Sequence, residues 1–161
     1  MTPTKIRFAL VGAGGIAQSY AQAFRDHPDA ELAGVADVRL DAAAVLAAKF
    51  PDCRAVDTYQ ELFDGPAFDA VIVSTPPDTH ETIATYFLAN GVHVLCEKPF
   101  TIGVDSARRM TAAARRAGRV LTMASKFRYV ADVTRAKAFV EDGLIGEVVL
   151  FENAFTSRVD M

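Results

Sequence analysis

Apolar residues along this chain fall into two rhythms that take turns. Short unbroken runs bounded by turn residues predict buried strands, and longer segments with apolar positions three and four apart predict helices. Ile6–Val11 is the first run and stops at Gly12. Gly14–Asp26 follows at helical spacing, with Ile16, Ala17, Tyr20, Ala23 and Phe24 as its apolar positions. Glu31–Ala36 predicts a second strand ending at Asp37, Asp41–Phe50 an Ala-rich helix capped by Asp41, Cys53–Val56 a third strand, and Tyr59–Phe63 one or two helical turns.

The same alternation continues. Phe68–Ser74, with Ala70-Val71-Ile72-Val73 at its centre, predicts a fully buried strand that Pro76-Pro77 breaks. Asp78 or Thr79 then caps a helix to about Asn90, and Gly91 stops it. Val92–Cys96 is the fifth strand. Asp105–Ala117 is a helix closed by Gly118, with Asp105 and Arg109 spaced as a pair one turn apart. Arg119–Met123 is the sixth strand and Ala131–Glu141 a further helix ended by Gly143. Val148–Phe155 reads as a last apolar strand. Strands alternating with helices over short turns predict an α/β fold, a doubly wound Rossmann-type parallel sheet of about six strands covered on both faces.

Composition narrows this only modestly. The chain has 161 residues, 51% hydrophobic and 23% charged, which suits a globular domain able to bury a core unaided. A net charge of -3 with no basic stripe argues against nucleic acid as a partner. Cys53 and Cys96 have no C-x-x-C spacing and no His/Cys cluster, so they read as reduced core thiols, with no metal site expected. No secretory signal and no membrane-length apolar run is found, and a cytoplasmic location is expected.

The first strand–helix junction carries the chemistry. Gly12-Ala13-Gly14-Gly15-Ile16-Ala17 matches G-x-G-x-x-A between a predicted strand and a predicted helix, the context that gives this weak pattern meaning. Gly12 permits the tight turn, Gly14 lets backbone approach a pyrophosphate, and Ala17 permits close helix–strand packing. Free N–H groups near Gly15 and Ile16, together with the helix dipole, favour an anion there. Asp37 ends the second strand about 20 residues on, where an acid accepts hydrogen bonds from the adenosine ribose and repels a 2′-phosphate. It also reads as an ordinary strand-end Asp capping the next turn. Arg39, two residues later, is placed to cover the adenine or to neutralise a 2′-phosphate. NAD is the expected cofactor, with NADP as the alternative.

Strands four and five end in Ser74-Thr75-Pro76-Pro77-Asp78-Thr79-His80 and Cys96-Glu97-Lys98-Pro99-Phe100. Both lie on the carboxyl rim that holds the glycine turn, where ligands of parallel sheets bind. A free lysine, with a pKa of about 10.4, is a poor base at neutral pH, but desolvation beside a cationic ring lowers it. Without further context Lys98 reads as a partner of Glu97 or of solvent, and His80 as a capping or packing residue.

With the later Gly143-Leu144-Ile145-Gly146-Glu147, these segments make the chain resemble the Gfo/Idh/MocA oxidoreductases over essentially its whole length. The resemblance implies that Lys98 lies near the nicotinamide and the substrate carbinol and assists proton transfer. It implies that Glu97 helps fix the ribose and Lys98, that Lys98-Pro99 is cis, that Ser74, Thr75 and Pro76 contact the nicotinamide half of the cofactor, and that His80 sits at the same end. Lys126-Phe127-Arg128-Tyr129 matches an active-site border segment more loosely. Members of the family act on sugars, cyclitols and related polyols, and continue into a second α/β domain that completes the site.

The expected organisation is therefore a dinucleotide-binding core at 1–125, a connecting helical segment at 126–146, and the start of a second domain at 147–161. Such a piece is expected to hold cofactor without completing turnover, and to self-associate through the 147–155 strand. The competing classes are a catalytically silent NAD(P)-binding sensor or interaction module and an S-adenosylmethionine methyltransferase. The methyltransferase has no use for Glu97-Lys98-Pro99.

Overall fold

A computed structural model describes residues 5–154, in two compact units that divide between Ala124 and Ser125. In the first, six parallel strands lie in the order β3-β2-β1-β4-β5-β6. They are β1 (Ile6–Val11), β2 (Ala30–Ala36), β3 (Arg54–Val56), β4 (Ala70–Val73), β5 (His93–Cys96) and β6 (Leu121–Met123). The helices between them are α1 (Gly15–Arg25), α2 (Leu40–Ala47), α3 (His80–Ala89) and α4 (Val104–Ala117), with a 3-10 turn at Tyr59–Asp64 before β4. This is a Rossmann fold, as the alternation of patterns predicts.

Side-chain parity divides the core. Leu10 and Ile72 pack with Ala17 and Ala21 of α1 and Leu46 of α2. Ala9, Val11, Val71 and Val73 point the other way, onto Phe87 and Leu88 of α3 and Met110 of α4. Strand β2 breaks the parity. Phe8 pairs with Leu32 but Ala9 with Gly34, so Ala33 is an inserted residue. The bulge puts Leu32 and Val35 on one face although an odd number of positions separates them. Just beyond it, a Cβ on Gly34 would lie 2.8 Å from the Leu62 side chain, so the 3-10 turn can press against the strand.

Helix ends depart from expectation in two places. The helix expected to be capped by Asp41 begins one residue earlier, at Leu40; Arg39 is the cap and Asp41 sits within the first turn. Arg109 does not pair with Asp105. It reaches α3 and makes a two-pronged contact with Glu81, while Asp105 takes Arg108 at 3.2 Å. A pairing across two helices is invisible to spacing along one. The Arg109 hydrogen bonds hold the Glu81 carboxyl down from its ordinary 4.5 to about 2. Its folded value is depressed, so its contribution is present above the unfolded value and is lost as pH falls towards 2. Arg109→Ala is expected to flatten the acid limb of a stability–pH curve between pH 4.5 and 2, checked by urea titration at several pH values. An unchanged limb would remove Glu81 from that role.

The second unit begins with a 3-10 turn at Lys126–Tyr129, where the Lys126 ammonium lies 5.2 Å over the Phe127 ring. Helix α5 (Ala131–Glu141) follows and is closed at Gly143 (φ 72), with Leu144 N–H bonding to Phe139 C=O. The strand expected at Val148–Phe155 is not formed over residues 148–154, and Phe155 lies outside the described residues. A strand requires a hydrogen-bonded neighbour, and no described residue pairs with this segment. No described helix is long and apolar enough to cross a membrane.

Candidate functional site

Register alone assembles the site. Val56, Ala36, Val11, Val73, Cys96 and Met123 form one row of Cα partners across all six strands. The next residue on each strand is Asp57, Asp37, Gly12, Ser74, Glu97 and Ala124. The backbone ladder extends to this row. Asp37, Gly12, Ser74, Glu97 and Ala124 each donate an N–H to the preceding strand residue of a neighbour, at 3.2, 2.8, 2.8, 2.9 and 2.8 Å. Neighbouring strands lie about 4.8 Å apart, so three intervals set Asp37 and Glu97 roughly 14 Å apart.

Gly12 sits at the centre with φ 98, and a Cβ there would lie 2.8 Å from the Ser74 carbonyl oxygen. The Ser74 hydroxyl lies 3.1 Å from Val11 C=O and 3.0 Å from Gly12 C=O, fastening β4 to the turn. At Gly14 and Gly15 a Cβ would meet nothing within 4 Å. No side chain caps the first turn of α1, so its N–H groups face an open space suited to an anion.

Asp37 makes two backbone contacts. Its carboxylate accepts Ala13 N–H at 2.7 Å and Arg39 N–H at 2.9 Å, so it caps the next turn and also braces the glycine turn. Asp37 also lines the cleft, and its two carboxylate oxygens offer about four acceptor sites, of which these bonds use two. The Arg39 guanidinium lies 3.7 Å from Asp37 with a side chain 66% exposed, outside the cleft lining.

The cleft itself has a volume of about 630 Å³, well suited to a cofactor. Gly12, Gly14, Asp37, Ser74, Thr75 and Pro76 line it, as do Asp57, Tyr59, Thr79, Thr82 and Ile83. Gly15 and Ile16 follow Gly14 into the first turn of α1. These features fit a dinucleotide: backbone able to approach a pyrophosphate, uncapped helix N–H groups, and an acid at the ribose end.

His80 takes the packing role that its position in the sequence also allows. It is fully buried, with Nε2 2.8 Å from Thr75 C=O and Nδ1 3.2 Å from Phe100 C=O. Both ring nitrogens face backbone carbonyls, at least one of which accepts a ring N–H, so His80 packs between two loops and is not part of the cleft lining. Glu97 and Lys98 stand at the end of β5, and the Lys98-Pro99 bond is cis. Glu97 is 9% exposed; its Oε1 accepts the Tyr20 hydroxyl at 2.7 Å and its Oε2 the Lys98 N–H at 2.9 Å. The Lys98 side chain is exposed and makes no ion pair among the described residues. Burial pushes the Cys53 thiol up to about 11 and the Cys96 thiol up to about 12, as suits inert packing residues.

Sequence reasoning passed over Tyr20, Asp57 and Tyr59. Asp57 carries the signal that singled out Asp37, an acid immediately after a strand. Tyr20 was counted as apolar, yet its hydroxyl needs a partner once the ring packs on the sheet.

The family model described as an oxidoreductase family with an NAD-binding Rossmann fold matches residues 6–125. The D-glucoside 3-dehydrogenase of Escherichia coli K12 is 33% identical over 149 residues, covering 92% of this chain and 42% of the relative. The NADP(+)-dependent scyllo-inositol 2-dehydrogenase IolU of Bacillus subtilis 168 is 32% identical over 158 residues, covering 96% and 48%. Among solved structures, the WlbA dehydrogenase of Bordetella pertussis in complex with NADH and UDP-GlcNAcA superposes with a TM-score of 0.83. It is 28% identical, over 91% of this chain and 42% of that one. The chain thus spans less than half the length of these relatives.

Proposed function

We propose a function on one premise: the chain belongs to the Gfo/Idh/MocA oxidoreductase family, whose NAD-binding Rossmann fold it carries over residues 6–125. On that premise it is the dinucleotide-holding unit of a dehydrogenase acting on a sugar, a cyclitol or a related polyol. The relatives named for glucoside and inositol dehydrogenation support this substrate class. Residues 1–125 are the binding core, 126–146 a connecting segment, and 147–161 the start of a second, substrate-holding domain. Cytoplasmic location and self-association through 147–155 belong to the same proposal.

The observation that carries this reading is the row Asp37, Gly12, Ser74 and Glu97, with an unpaired Lys98 beside it. Asp37 holds the adenosine ribose, and the first turn of α1 holds the pyrophosphate. Ser74, Thr75 and Pro76 form the wall beyond. A bound nicotinamide supplies the carbon that accepts or returns the hydride. Lys98, as the neutral amine, takes the proton of the substrate hydroxyl while the hydride leaves the carbinol carbon, and as the ammonium it returns that proton in the reverse direction, a task open to a lysine with no carboxylate partner. NAD is the preferred cofactor, since Asp37 and Asp57 both present carboxylates on the row and Arg39 lies outside the lining.

Titration of this chain with NADH, followed by nicotinamide fluorescence, is expected to saturate; no saturation at millimolar NADH would sink the reading. Lys98→Met is expected to leave that affinity within about twofold. In a full-length dehydrogenase carrying this unit it is expected to cost roughly 100-fold or more in turnover. Equal loss of binding and turnover would place Lys98 in cofactor retention instead.

A further inference from the structure

Glu97 poses a problem that its family assignment does not solve. It is a buried carboxylate with no cation paired to it among the described residues. An ionised carboxylate taken from water needs hydrogen bonds to each oxygen. One oxygen is served by the Lys98 N–H at 2.9 Å, its own neighbour in sequence. The other is served from a different element altogether, by the Tyr20 hydroxyl of α1 at 2.7 Å. Bonds from donors to a charged acceptor are the strong ones, so the rotamer of Glu97, and with it the Lys98 peptide, is set by Tyr20.

Tyr20 stands on the helix whose first turn faces the cleft. It lies about 9 Å along the axis from Gly14 at 1.5 Å per residue. A helix moves as a rigid body over that length. Burial, reinforced by the Glu97 carboxylate, holds the Tyr20 phenol far above its ordinary value, so it remains a donor at every working pH.

We propose that Tyr20 is the positioning residue for Lys98: through Glu97 it fastens the Lys98 backbone to the phosphate-binding helix, so that seating a dinucleotide on α1 also sets Lys98. This rests on the proposed dinucleotide site for its second half only, since the fastening exists in the free chain. It also gives a reason for a tyrosine where a phenylalanine would pack equally well.

Amide hydrogen exchange by NMR tests it on this chain, with and without NADH. In Tyr20→Phe the Lys98 amide is expected to lose protection about tenfold, the scale of one charge-assisted bond. The amides of Leu10 and Val73, in the centre of the sheet, should keep theirs. In the wild type NADH is expected to protect Lys98 further, and in Tyr20→Phe that increment disappears. Unchanged Lys98 exchange in Tyr20→Phe overturns the proposal. So does a loss shared equally by Leu10 and Val73, which marks a merely structural role. Should wild-type chain bind no NADH, the functional reading fails, while the free-chain comparison still decides whether Tyr20 fastens Lys98.

Discussion

Two alanine-sized changes two residues apart are expected to give opposite results. Gly12→Ala should unfold the rim, because its φ of 98 disfavours any Cβ and that Cβ would lie 2.8 Å from Ser74 backbone. The left-handed backbone costs roughly 1–2 kcal/mol and the overpacking about 1–3 more. At about 2–4 °C per kcal/mol for a domain of this size, a Tm drop of roughly 10 °C is expected, with NADH binding lost alongside. Gly14→Ala should leave Tm almost unchanged, since its Cβ meets no protein atom within 4 Å. It should nonetheless weaken NADH by about tenfold or more if, as proposed, the pyrophosphate sits in the open space above Gly14. Calorimetry and fluorescence titration of both variants decide the matter. A Gly14→Ala chain that binds as the wild type does would move the phosphates elsewhere.

Asp37→Ala is expected to show a double effect. The carboxylate, with a side chain 11% exposed, accepts two backbone N–H groups at 2.7 and 2.9 Å. Charge-assisted bonds of this kind are worth about 1.5–3 kcal/mol, and here they brace two loops, so a loss of roughly 3 kcal/mol is expected. Removing the acid also frees Arg39, and the proposed preference for NAD over NADP should fall at least about tenfold. Asp37→Asn keeps one acceptor oxygen and should lose about half the stability while still relaxing the preference. Urea denaturation and parallel titrations with NADH and NADPH measure both. Lost stability without any change in preference would leave Asp37 a brace alone.

The parts of the fold legible in the sequence are those whose signal is local. Ile6–Val11 was readable to its last residue because an apolar run ends on a glycine. The glycine turn was readable because its rule concerns successive backbone positions. The Ala33 bulge was hidden, since a strand buried on both faces shows no alternation that an insertion would disturb. The partner of Arg109 was hidden because it lies on another helix. The partners of His80 were hidden for the same reason: its two carbonyl neighbours come from separate loops that only the folded sheet brings together. Tyr20 looked like any core aromatic until Glu97 stood opposite it.

The row of rim residues has a consequence for how such a site persists as its sequence drifts. Asp37, Gly12, Ser74, Glu97 and Ala124 each hang from a peptide bond of the neighbouring strand. The sheet therefore acts as a ruler whose unit is the strand interval, and the rim is measured against backbone. Core side chains can be exchanged for others of similar volume so long as the count of residues along each strand is kept. A single deletion in β4, by contrast, would slide Ser74 and Thr75 off their marks while leaving every other composition and propensity signal intact.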